Sequence, residues 1–240
     1  MTRDILDEYI KKSNSRIEFW IEFVNKTKIE TVAEIGIYKG DFTAQLLKEC
    51  KLLKKYYMID PWKHLEDWNK PANVDNGLFE HFLKETEIKT NFAKNKRMIL
   101  RGRTMEVIDQ IPNESLDFIY IDGDHTLRGI TIDLINSYHK IRNGGWIGGD
   151  DFVQTIWQHP TSFEPSFIFP FAVYFAEAIN APIYGLPYNQ FLIEKREGLY
   201  FKFIDVTGRY NNLSIKHQLS LPQMVRLKFR EMLSSIIKFK

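Results

Sequence analysis

Five short apolar runs constrain this chain more than any other feature: "TVAEIG" at 31–36, "KYYMID" at 55–60, "RMIL" at 97–100, "LDFIYID" at 116–122 and "GGWIGGDD" at 144–151. Between them lie stretches with helical spacing, "DFTAQLLKECKLL", "TMEVIDQI" and 127–141, where Leu127, Ile130, Leu134, Tyr138 and Ile141 recur at steps of three and four. Strands that are apolar along their length, alternating with amphipathic helices, build a mostly parallel sheet covered by helices on both faces. The expected fold is therefore α/β. An N-terminal helix is expected within 1–28, a core over 30–195, and a last strand and helix over 196–240, all in one domain. In "PIYGLPYNQFLIEK" two strands flank a tight turn, which predicts an antiparallel hairpin near the C-terminus, and "LYFKFIDVTG" adds a further strand.

Ligands of open parallel sheets bind beyond the carboxyl ends of the strands. Here those ends carry Glu34, Gly36 and Gly40, then Asp60, then Gly102 and Arg103, then Asp122 to His125, then Asp150 and Asp151. A dinucleotide fingerprint with Gly36 as its second glycine needs glycine at 34 and 39, where Glu34 and Lys39 stand instead. A carboxylate at position 34 repels a pyrophosphate and suits an ammonium. Asp60, some twenty residues on, is placed to accept ribose hydroxyls. An ammonium and a ribose together describe S-adenosylmethionine better than NAD.

"VAEIGIYKGDFT", "YYMIDPW" and "LDFIYIDGDHTLRGITIDLINSYHKIRNGGWIGGDDF" resemble the motifs of class I S-adenosylmethionine-dependent methyltransferases, Rossmann-like in fold. The pattern is nearest to macrocin-type sugar O-methyltransferases and more distantly similar to catechol O-methyltransferase. The resemblance implies that Glu34, Gly36, Gly40, Asp60, Gly102, Arg103 and Asp122 meet the cofactor. It also implies that Asp122, Asp150 and Asp151 hold Mg²⁺, whose oxygen-only ligand preference they satisfy. His125 stands where the catechol enzyme has its lysine base, so His125, or Asp122 with it, is expected to deprotonate the acceptor hydroxyl. Trp62, His64, Trp68, Trp157 and His159, in the segments after Asp60 and Asp151, are expected to face a sugar or polyol acceptor, with a catechol-like aromatic second and a catalytically silent cofactor-binding module third.

The rest of the sequence narrows partners. A formal net charge of +2 gives no basic excess of the kind nucleic-acid surfaces carry. The lone Cys50 excludes an internal disulfide and suits a reducing compartment. The start "MTRDILDEYIKKSNSR" lacks a signal-peptide core, and "FIFPFAVYFA" at 167–176 is too short to span a bilayer, so a cytoplasmic protein is expected. The final "LPQMVRLKFREMLSSIIKFK" mixes apolar residues with Arg226, Lys228, Arg230, Lys238 and Lys240. Such a helix either packs on the domain or touches an anionic membrane surface. Self-association stays open.

Overall fold

A computed structural model describes residues 3–210 and 213–238, with side-chain surroundings through residue 234. The strands are β1 (Thr31–Ile35), β2 (Lys55–Asp60), β3 (Arg97–Arg101), β4 (Leu116–Ile121), β5 (Ile141–Gly149), β6 (Pro182–Leu186), β7 (Gln190–Lys195) and β8 (Lys202–Asp205). The helices are α1 (Arg3–Lys11), α2 (Arg16–Lys26), α3 (Asp41–Glu49), α4 (Asn76–Lys89), α5 (Thr104–Val107), α6 (Leu127–Tyr138), α7 (Ile168–Ala178), α8 (Ile215–Gln218) and α9 (Leu221–Lys238). One sheet runs β3-β2-β1-β4-β5-β7-β6-β8. Its first five members in that order are parallel, β7 is antiparallel to β5 and β6, and β8 joins β6 in parallel. This is the expected Rossmann-like arrangement with its antiparallel C-terminal pair.

Successive side chains of a strand point to opposite faces, and the two faces of the sheet are packed separately. Phe118 and Tyr120 of β4 join Leu6, Trp20, Phe23, Leu46 and Phe79 from α1 to α4. Ile119 and Ile121 join Ile108, Ile130, Leu134 and Phe175 on the other face.

Two local expectations are corrected, and one segment gains a helix. The N-terminal segment is two helices, broken at Ser13-Asn14-Ser15. There the Ser13 hydroxyl donates to Tyr9 O at 2.7 Å, while Ser15 accepts Glu18 N at 3.3 Å as the cap of α2. Serine and asparagine side chains offer the backbone alternatives to the helical ladder, so the helix stops and restarts. The segment after Asp60 contains α4, started by Asp75 accepting Leu78 N. Finally, Ile141 does not end α6 but opens β5, opposite Leu116.

Among the described residues no helix is long and apolar enough to cross a membrane. On α9, Glu231 accepts the backbone N–H of Thr161 at 2.7 Å, anchoring the helix to the segment after β5. Leu221, Val225, Phe229 and Leu233 remain exposed. Lys240 and the side chains of Ile236, Ile237 and Lys238 lie outside the described residues.

Candidate active site

The carboxyl ends of β1, β2, β3, β4 and β5 open into a cleft of about 520 Å³. Strand register creates it. Ile121 pairs with both Ile35 and Gly149, so Gly36, Asp122 and Asp150 follow side by side on adjacent strands. Gly36 has φ +88° and lies so close to β4 that an added Cβ would sit 2.0 Å from Asp122 O. Glycine is required there by the crossing of two backbones, not only by a ligand.

On the β1–β3 side, Asp60 shapes the turn. One of its oxygens accepts Ile37 N at 2.9 Å and Tyr38 N at 3.0 Å, and the other accepts Trp62 N at 2.7 Å. A carboxylate has about four lone-pair sites, so one remains for an incoming hydroxyl. Burial raises the Asp60 pKa despite these three amides. Glu34 is fully enclosed at the base of the cleft. Its Oε2 accepts the hydroxyls of Thr43 at 2.6 Å and Tyr56 at 2.5 Å, and burial pushes its pKa up to about 8. Gly102 and Arg103 line the cleft, with Arg103 paired to Asp67. Gly40 does not line it. Its φ of +73° starts α3, and a Cβ there would meet Thr86 Cγ2 at 2.8 Å, so its glycine serves packing against α4.

The acid cluster forms, with its charge compensated from within the chain. Arg16, the first residue of α2, reaches across the sheet end to Asp122 Oδ2 at 3.3 Å and also pairs with Asp150. Gln190 donates to Asp150 Oδ1, which accepts Asp151 N as well. His125 Nδ1 lies 2.5 Å from Asp151 Oδ2, and its Nε2 lies 3.4 Å from Asp122 Oδ1. Burial opposes charge on this imidazole, but Asp122 and Asp151 outweigh burial and hold its pKa up at about 10. Asp151 holds the Nδ1 side of the ring, while the buried Nε2 faces Asp122 without a hydrogen-bond partner. Among the described residues no group of three or more His, Cys, Asp or Glu side chains is arranged to hold a metal ion. The expected Mg²⁺ ligands do not fit that ion here, because Arg16 and His125 already engage their carboxylates.

The opposite wall comes from the segments after β2 and β5. Trp68 donates from Nε1 to Asp124 Oδ1 at 3.0 Å and lines the cleft. Asp124 Oδ1 also accepts Thr126 N, and Thr126 caps α6. Lys70 lines the cleft while donating to Glu164 O at 2.7 Å, which ties the two segments together. His159 lines the cleft too, and burial followed by the Lys70 ammonium keeps its pKa below the ordinary histidine value. The other expected acceptor residues turn away. Trp62 is fully buried with Nε1 donating to Tyr38 O, His64 Nδ1 lies 3.0 Å from Val74 O, and Trp157 Nε1 donates to Gln218 O.

Residues 33–152, half of the chain, match the family described as a methyltransferase domain. The chain belongs to the methyltransferase-domain family. Over 127 residues the chain is 27% identical to an uncharacterised protein of Acanthamoeba polyphaga mimivirus; the match covers 53% of each, about half the length of that relative. The chain also shares its fold with the O-methyltransferase TomG from Streptomyces achromogenes, solved with SAM, at a TM-score of 0.53 and 12% identity over 82% of this chain and 91% of that one. An O-methyltransferase from Bacillus cereus in complex with SAH gives a TM-score of 0.52 and 15% identity, covering 81% and 92%.

Three residues at the site, Arg16, Lys70 and Asp133, were not expected from the sequence. Asp133 accepts the Thr104 hydroxyl at 2.6 Å at the cleft wall, and burial pushes its pKa up to about 7. Lys70 and Asp133 lie on a loop and mid-helix, where nothing in the sequence marks them. Arg16 left one trace. A cation in the first turn of a helix opposes the helix dipole and calls for an acidic partner.

Proposed function

We propose that this protein transfers a methyl group from S-adenosylmethionine to a hydroxyl of a small polar acceptor, with a sugar or polyol favoured. The observation that carries this is the two-sided cleft. The Gly36 turn, Glu34 and Asp60 form one side, and Trp68, His125, Asp151 and His159 form the other. Asp60 keeps an acceptor site for a ribose hydroxyl, and Glu34 provides a buried acid toward an ammonium. When bound, S-adenosylmethionine supplies an electrophilic methyl on a sulfonium. The wall of Trp68 gives the acceptor an aromatic face next to the polar tips of Lys70 and His159, a combination that orients rings bearing hydroxyls. His159, neutral at physiological pH, accepts the hydroxyl proton as the oxygen attacks. No step is assigned to Mg²⁺.

The exposed face of α9 supports weak contact with an anionic membrane surface. Leu221, Val225 and Phe229 recur every four residues, and Arg226, Lys228 and Arg230 accompany them. Like charges flanking the stripe disfavour its pairing with a second copy. Phe229→Asp is expected to abolish sedimentation with phosphatidylserine vesicles; unchanged sedimentation rejects this contact.

The test of the main reading is calorimetric titration with S-adenosylhomocysteine, with NADH as control, followed by methyl-transfer assays on sugar nucleotides and catechols. Micromolar binding of S-adenosylhomocysteine alone, with turnover of a sugar, is the expected result. Binding without turnover of any acceptor favours the silent module, and absence of binding rejects the reading.

A further inference from the structure

The carboxylates of Asp122 and Asp150 stand at the adjacent ends of β4 and β5, and a cation carried by the chain itself sits between them. Its placement is built, not incidental. Phe19, Trp20 and Phe23 bury one side of α2 in the core, and Trp20 Nε1 donates to Gln190 Oε1 at 2.8 Å. Tyr120 donates to the same oxygen at 2.8 Å. Gln190 in turn uses its amide nitrogen on Asp150 Oδ1 and on Tyr188 O at 2.8 Å. The helix that carries Arg16 and the acid that receives it are therefore fixed through one shared glutamine. The guanidinium also lies 5.6 Å from the centroid of the Phe42 ring, within cation–π range.

Two carboxylates at adjacent strand ends repel each other unless a cation joins them. A guanidinium is always charged and spreads its donors in a planar fork suited to two carboxylates. A hard divalent ion would need those same oxygens free. We infer that Arg16 occupies the position between Asp122 and Asp150 that the family resemblance gives to a divalent cation, and acts as a tethered competitor that keeps Mg²⁺ out of this cluster. Resting on the methyl-transfer reading above, this makes Arg16 a positioning residue that holds Asp122 and Asp150 without a metal.

The experiment is titration of the full chain with Mn²⁺ alone, followed by paramagnetic resonance of the free ion, for the wild type, Arg16→Gln and Arg16→Lys. The glutamine variant is expected to bind Mn²⁺ at least tenfold more tightly than the wild type, and Arg16→Gln combined with Asp122→Asn is expected to lose that gain. The lysine variant keeps the charge without the fork and should fall between. Equal Mn²⁺ affinity in wild type and Arg16→Gln, whether both bind or neither does, overturns the inference. If the glutamine variant does not fold, wild-type binding at micromolar Mn²⁺ overturns it, and tighter binding by Arg16→Lys supports it. No cofactor is present in this titration. A failed S-adenosylhomocysteine titration would therefore count against the transferase reading and leave the metal result standing.

Discussion

The carboxylate of Asp60 accepts the backbone N–H of Ile37 at 2.9 Å, so the acid that ends β2 also shapes the turn that follows β1. Asp60→Asn would turn an amide N–H₂ toward backbone donors that now meet oxygen. Leaving buried donors unsatisfied costs about 1–3 kcal/mol. The variant is expected to lose stability in that range by urea unfolding and to bind S-adenosylhomocysteine at least tenfold more weakly in calorimetry.

Gly36→Ala tests the crossing of β1 and β4. The new methyl would meet backbone atoms of Asp122 and Gly123, which cannot move as a flexible side-chain end would, at a φ of +88°. The expected loss is about 3 kcal/mol or more, read by chemical denaturation. A variant within about 1 kcal/mol of wild type would mean that the two strand ends separate easily.

Glu34 makes stability depend on pH in an unusual direction for a carboxylate. Its folded pKa of about 8 lies above the ordinary 4.5, because burial outweighs the hydroxyls of Thr43 and Tyr56. Below the ordinary value both states hold the proton, and this contribution to stability is fully present. As pH rises toward 8 the unfolded chain has released the proton that the folded chain keeps, so stability falls by up to about 1.4 kcal/mol per unit. Asp133 acts in the same direction, with a folded value of about 7. Glu34→Gln should flatten the slope measured by urea unfolding across this window, and an unchanged slope would assign it to other groups.

His159→Gln removes the neutral imidazole from the cleft wall and leaves the Gly36 turn untouched. Removing a proton acceptor of this kind lowers kcat by about 10²–10⁴. S-adenosylhomocysteine affinity should stay within a factor of about two, since the residue lies on the acceptor side. A variant with normal kcat would return the proton-accepting role to His125 or Asp122.

The two kinds of expectation fared differently for a physical reason. The alternation of strands and helices, the strand ends and the positions of Gly36, Asp60, Asp122 and Asp150 at them were legible, because hydrophobic period marks strand ends without any side-chain detail. The roles of particular rings were not. Trp62 and Trp157 have the composition of an acceptor wall, yet neither lines the cleft and each indole N–H is taken by a backbone carbonyl, Tyr38 O in one case and Gln218 O in the other.

The amino-acid sequence by itself determined the alternating strands and helices, the glycine turn and the acids at the strand ends, since these follow from local pattern; the neighbouring of the β4 and β5 ends was implied by the family resemblance. Only the tertiary structure decided what neutralises those acids. Arg16 stands 106 residues from Asp122 along the chain and meets it only because α2 packs across the strand ends. A charge needs a partner in space, and sequence spacing records no such distance.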